Sequence, residues 1–143
     1  MKRTSVALFT SIALAVSSCG EQPTVQNYLD KAKQFQVENR IKESEIALKN
    51  AVKLDLKSAE ARFQLGSLYL SQGSGLSAIK ELEKAQSLKY QSSDLLPKLA
   101  RAYLISDDFE GVLSLAEKAD GLPIEAKVEY LSYETLAAIR TNQ

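Results

Sequence analysis

The 143-residue chain holds one cysteine, Cys19, and no histidine or tryptophan. Nucleophilic catalysis pairs serine or cysteine with a base, and acid–base work near neutral pH most often uses histidine. Metal sites draw on clusters of His, Cys, Asp or Glu. The only paired acids that stand out are Asp107 with Asp108, and Glu43 with Glu45. Both pairs fall where helices are expected to start or turn, and there a carboxylate caps free N–H groups or complements the helix dipole. The run SQGSGLS, residues 71–77, lacks the following Lys-Ser or Lys-Thr of a phosphate loop. This inventory points away from an enzyme, and no metal ion or other cofactor is expected.

Cys19 has a different use. Lys2 and Arg3 form a short basic head, Val6 to Val16 is an uncharged and mostly apolar run, and the small residues Ser17 and Ser18 follow. Basic head, apolar run of about 7–15 residues and small-residue exit make a secretory signal segment. The run is shorter than the ~20 residues that cross a bilayer as a helix. Val16-Ser17-Ser18-Cys19 resembles the lipobox of bacterial lipoproteins. That resemblance implies cleavage before Cys19, acylation of its sulfur and new amino terminus, and a lipid-anchored protein in the cell envelope. A buried methylene contributes about 0.8 kcal/mol and one acyl chain holds only marginally, so two or three make a durable anchor. Gly20, and not aspartate, follows the cysteine, which in enterobacterial lipoproteins favours the outer membrane, here facing the periplasm. The alternative is an ordinary signal cut at the same place, which would leave an unpaired thiol in an oxidising compartment.

Without Lys2 and Arg3 the chain keeps 16 basic and 18 acidic side chains, a net charge of −2. No basic patch stands out, so neither nucleic acid nor anionic lipid is expected to bind through charge. About 125 residues make one domain of ordinary size.

The elements that would position any site come from an internal repeat. Tyr28, Arg62 and Leu96 each open a similar stretch, 34 residues apart and without a gap. Ala32, Gly66 and Ala100 fall in register, as do Phe35, Tyr69 and Tyr103, and then Ala51, Ala85 and Ala119. Within a unit, apolar residues recur at helical spacing, break, and recur again: Phe63, Leu65, Leu68, Tyr69 and Leu70, then Ala78, Ile79, Leu82, Ala85 and Leu88. Asn39-Arg40, Gln72 to Gly75 and Ser106 to Asp108 mark the breaks. The spacing predicts helices near 26–38, 42–54, 59–72, 75–88, 93–106, 109–119 and 124–140. A single hairpin cannot bury its own apolar face, so the three must stack.

Leu65-Gly66, Tyr69, Ala78, Leu82 and Ala85 resemble the tetratricopeptide repeat, over about residues 25–140. Arg62 stands where that family usually has tryptophan, Leu56 and Tyr90 replace its proline, and Val112 replaces an alanine. The resemblance implies an all-α right-handed superhelix of helical hairpins, with three repeats and a terminal helix. Its divisions would be a signal peptide (1–18), a tether (19–24), repeats at 25–58, 59–92 and 93–126, and a helix at 127–143. That last helix reads either as a cap or as the first helix of a fourth unit in a longer protein.

The family binds peptides or protein segments in an inner groove lined by the first helix of each pair. Carried over, the groove would hold Leu29, Lys33, Gln36 and Val37, then Phe63, Ser67, Leu70 and Ser71, then Pro97, Arg101, Leu104 and Ile105. Each could equally be a solvated or packed helix residue. The family's Asn- and Lys-rich clamp for carboxyl-terminal peptides is missing. A lipobox followed at once by tandem repeats resembles the start of the repeat lipoprotein associated with PEP-CTERM/exosortase sorting and exopolysaccharide export. An interaction scaffold for a protein segment is the expectation. The alternatives are a pilus or outer-membrane assembly lipoprotein, or an accessory factor of a cell-wall enzyme.

Overall fold

A computed structural model describes residues 22–142. The expected signal segment, Cys19 and the first part of the tether lie outside the described residues. Among those residues there are eight helices and no strand, so the chain is all-α. The helices are α1 (Val25–Val37), α2 (Ile41–Leu54), α3 (Ala59–Ser71), α4 (Gly75–Ser87), α5 (Leu95–Ile105), α6 (Phe109–Leu113), α7 (Ala116–Ala119) and α8 (Ile124–Thr141).

The turns repeat with the sequence. After α1, α3 and α5 the chain passes through Asn39 (φ 56°), Gly73 (φ 73°) and Asp107 (φ 56°), each 34 residues from the last. Beyond each of them an N–H reaches five residues back: Arg40 to the Phe35 carbonyl, Ser74 to Tyr69, and Asp108 to Tyr103. The left-handed residues themselves donate to Gln36, Leu70 and Leu104. The first helix of each of the three hairpins thus ends in the same Schellman motif. Asparagine, glycine and aspartate are the residues that tolerate this conformation best. Connections of three residues then make each following helix fold back on its predecessor.

Small residues set how closely the helices approach. A Cβ on Gly66 would lie 2.7 Å from Leu82 Cγ, so α3 and α4 meet at a distance only glycine allows. Ala32, Ala51, Ala85 and Ala100 are all fully buried. Two apolar clusters result. One gathers Leu29, Leu48, Leu65 and Leu68 from α1 to α3, the other Leu82, Leu99, Val112 and Tyr130 from α4 to α8, and Tyr69 packs against both. The register aromatics also tie hairpins together by hydrogen bonds. The Tyr69 hydroxyl donates to Glu45 of α2 at 3.3 Å, and the Tyr103 hydroxyl to Glu83 of α4 at 2.6 Å.

Two expectations needed correction. The helix predicted from 93 starts at Leu95, because the Pro97 ring would clash with the carbonyl of residue 93 in a longer helix. The helix predicted over 109–119 is interrupted at Ser114 and Leu115. Gly111 weakens the helix locally, and the Ser114 hydroxyl bonds back to the Gly111 carbonyl at 2.7 Å. The Val112 carbonyl accepts from Leu115 N–H and, at 3.1 Å, from the buried Tyr130 hydroxyl of α8. A helix that continued would need that carbonyl for its own ladder.

Candidate functional site

A groove of about 620 Å³ runs across the first helices of the three units. Its walls come from α1 (Lys33, Gln36), α3 (Phe63, Gln64, Ser67, Leu68, Ser71) and α5 (Lys98), with Ile41 at one end. The expected Lys33, Gln36, Phe63, Ser67 and Ser71 are brought together there.

Phe63 is only half-buried, and its ring stacks on Tyr90 with centroids 4.6 Å apart. Tyr90 is held in place by its N–H bond to the Ala85 carbonyl, beside the left-handed Lys89. Burial raises the Tyr90 phenol pKa, with the charges of Glu60 and Asp94 adding to the rise. No Asp or Glu lines the groove itself.

Most of the polar atoms in the groove have partners. Gln36 Nε2 donates to the buried Ser44 hydroxyl at 3.1 Å, and Gln64 Nε2 to Glu60 Oε1 at 3.1 Å. The Ser71 hydroxyl donates to the Leu68 carbonyl at 2.7 Å. Ser67 Oγ is buried and has no hydrogen-bond partner among the described residues. Neither Lys33 nor Lys98 has a carboxylate within ion-pair distance among those residues.

The other expected groove residues lie elsewhere. Leu29 and Leu70 are 3% and 4% exposed and belong to the two cores, and Pro97 is buried with the second. Leu104 is half-buried against that core and does not line the groove. Arg101 is exposed beyond the groove, near enough to Tyr133 of α8 for its charge to oppose the rise that burial causes in that phenol's pKa. Val37 projects into solvent at 83% exposure, and Ile105 lines a smaller pocket beside Gly75. The expected face was rotated by a fraction of one residue from the observed one. Turning it brings in Gln64 and Lys98, which are equivalent positions in successive units, and takes Leu29, Leu70 and Pro97 inward. Pro97 followed by Lys98 carries that information in the sequence, whereas Phe63, in the register of Leu29 and Pro97, stays in the groove.

The acid pairs have structural partners. Asp108 Oδ1 accepts from Gly111 N–H at 2.8 Å and caps α6. Glu43 pairs with Arg40, and Glu45 with Lys49. Among the described residues no three His, Cys, Asp or Glu side chains gather to hold a metal ion, and no helix is long and apolar enough to cross a membrane. No protein-family model matches the chain, and no curated protein does.

Proposed function

We propose that the chain is a tetratricopeptide-type solenoid that holds a segment of a partner protein in the groove formed by α1, α3 and α5. The supporting observation is the groove itself. Helices from three units converge on one concave surface that presents a half-buried aromatic ring and a buried hydroxyl without a partner among the described residues. Such a surface, mostly apolar with a few polar groups converging on it, is what binding sites generally look like. The three equal turns and the 34-residue spacing favour a stack that coils in the right-handed sense of that repeat family. The lipobox-like VSSC places the scaffold on the envelope through lipid on Cys19, with no catalytic role. The proposed setting is the PEP-CTERM/exosortase-linked sorting and exopolysaccharide export that the sequence resembles.

Crosslinking in the native cell envelope tests this. A photoreactive residue at Gln64 should capture a protein partner, and the same residue at the exposed Lys80 of α4 should not. Capture from position 80 alone would place the partner on the other surface and sink the groove reading. The anchor has its own test: radiolabelled palmitate should enter the wild-type protein and be lost in Cys19→Ala. Incorporation that persists in that variant would exclude Cys19 as the lipid site.

A further inference from the structure

We infer that the groove selects an internal acidic stretch of its partner, in which an apolar residue stands between two carboxylate side chains. The inference rests on the groove reading above and adds the chemistry of the occupant.

The groove is lopsided in charge. Lys33 enters it from α1 and Lys98 from α5, on either side of α3, and no carboxylate lines it. Elsewhere Arg40 pairs with Glu38 and Glu43, Lys49 with Glu45, Arg62 with Glu81, and Lys127 with Asp120. With two lysines and no carboxylate in its lining, this concave surface carries positive charge only. The remaining uncommitted donor is the Ser67 hydroxyl, between them on α3. A buried hydroxyl without a partner is costly to leave so, and a ligand acceptor would satisfy it. All three groups donate, so the occupant must bring acceptors. Two ammonium groups call for anionic ones.

Apolar contacts set the rest of the chemistry. Phe63 and Leu68 of α3 form the floor between α1 and α5. The stack on Tyr90 fixes the Phe63 ring, so an apolar side chain meets a preformed surface. Glu60 accepts from Gln64 at 3.1 Å, and the charges of Glu60 and Asp94 act on Tyr90. They discourage an acidic residue from binding over the aromatic pair itself and confine the carboxylates to the two lysine positions. The order acid, apolar, acid follows from the order α1, α3, α5. Because the lysines flank the floor from two sides, side chains within a running segment fit better than a single terminal carboxylate.

The test uses the full chain in detergent and fluorescent eight-residue peptides built on alanine, each with a central leucine. One carries glutamate on both sides of the leucine, one carries glutamine there, and one carries neither but ends in a free carboxylate. The glutamate peptide should bind at least about tenfold more tightly than the other two, and added salt should shrink the difference. Lys33→Gln and Lys98→Gln should each reduce that preference about threefold, while Lys80→Gln leaves it unchanged. Equal affinity for the glutamate and glutamine peptides would overturn the inference and leave the groove reading intact. Tighter binding of the terminal-carboxylate peptide would overturn it too. Failure of every peptide, together with no capture from Gln64, would sink both.

Discussion

The second and third units solve one packing problem with opposite chemistry. Arg62 of α3 donates from Nη1 to Glu81 of α4 at 2.7 Å, and both side chains are about nine-tenths buried. Arg62 Nε and Nη2 also reach the Leu56 carbonyl at 3.3 Å each, closing the loop before α3. Thirty-four residues on, the equivalent positions are Leu96 and Leu115, both buried in the second core. In the first unit they are Tyr28 and Ala47. An ion pair with its donors satisfied can thus occupy the place that two leucines fill next door. What repeats is the volume and the closure of polar groups, and the residue type is free to differ. The same difference accounts for Arg62 at the position where the resembled family usually has tryptophan.

The largest expected effect breaks that comparison open. Arg62→Leu alone should leave Glu81 buried without a partner and cost about 3–5 kcal/mol, seen as a large fall in melting temperature. Arg62→Leu combined with Glu81→Leu makes the second unit like the third, and such replacements are often neutral or stabilising by about 1–4 kcal/mol. The double variant should therefore melt near the wild type or above it. If both melt equally low, the pair supplies something that leucines cannot, and the equivalence of the two units fails.

The third unit is closed by Tyr130 of α8, whose hydroxyl donates to the Val112 carbonyl where the helix is interrupted. Burial pushes the Tyr130 phenol up to about 12, with Glu134 adding to the rise, and burial with the Glu83 bond pushes Tyr103 up as well. Below about pH 10 both phenols are neutral whether the chain is folded or unfolded. Above it the unfolded chain loses these protons first, so stability falls as pH rises through the folded values. For Tyr130 the loss is on the order of 2–3 kcal/mol by about pH 12. Urea midpoints should thus drop between about pH 8 and about pH 11, and less in Tyr130→Phe. An unchanged slope in that variant would remove Tyr130 from the account.

Ala85→Leu in α4 should cost about 1–3 kcal/mol by overpacking, since Ala85 is fully buried where α4 crosses its neighbours. The equivalent Ala119→Leu lies in the four-residue α7, next to the open Gly121 turn, and that short helix has room to shift. It should cost less. The exposed Lys84→Ala should cost nothing measurable. A larger loss at Ala119 would mean that the interrupted segment is packed as rigidly as α4.

How far the sequence foretold these features depends on how many chain segments meet in each. The 34-residue period, the small residues at Ala32, Gly66 and Ala100, and the turns at Asn39, Gly73 and Asp107 are local patterns, and helix ends followed from them to within two residues. The interruption at Ser114 depends on a hydroxyl from Tyr130, which arrives from another helix. The Arg62–Glu81 pair joins two helices across 19 residues. Groove membership failed for a subtler reason. Leu29, Phe63 and Pro97 share one register position, yet Phe63 lines the groove while Leu29 and Pro97 are buried, so what packs against each helix decides the side each takes.

The smallest expected effect separates turns inside the hairpins from the turn between them. Lys89, after α4, has φ 59°, and its N–H and that of Tyr90 close a Schellman motif on Gln86 and Ala85 like those within the hairpins. Lysine has no side chain suited to this conformation, whereas Asn39 and Asp107 stand among the residues that adopt it most readily. Glycine relieves the strain but loses more chain entropy on folding, so the gain is the difference of the two. Lys89→Gly should stabilise the fold by about 0.5–1 kcal/mol, and Asn39→Gly and Asp107→Gly by a few tenths at most. Gly73→Ala, the reverse change, should destabilise by about 1 kcal/mol even though nothing lies within 4 Å of the added Cβ, because the cost is in the backbone and not in packing. Melting curves of the four variants decide the matter. If Lys89→Gly gains no more than Asn39→Gly, the strain at Lys89 is already relieved by its neighbours, and the two kinds of turn are energetically alike.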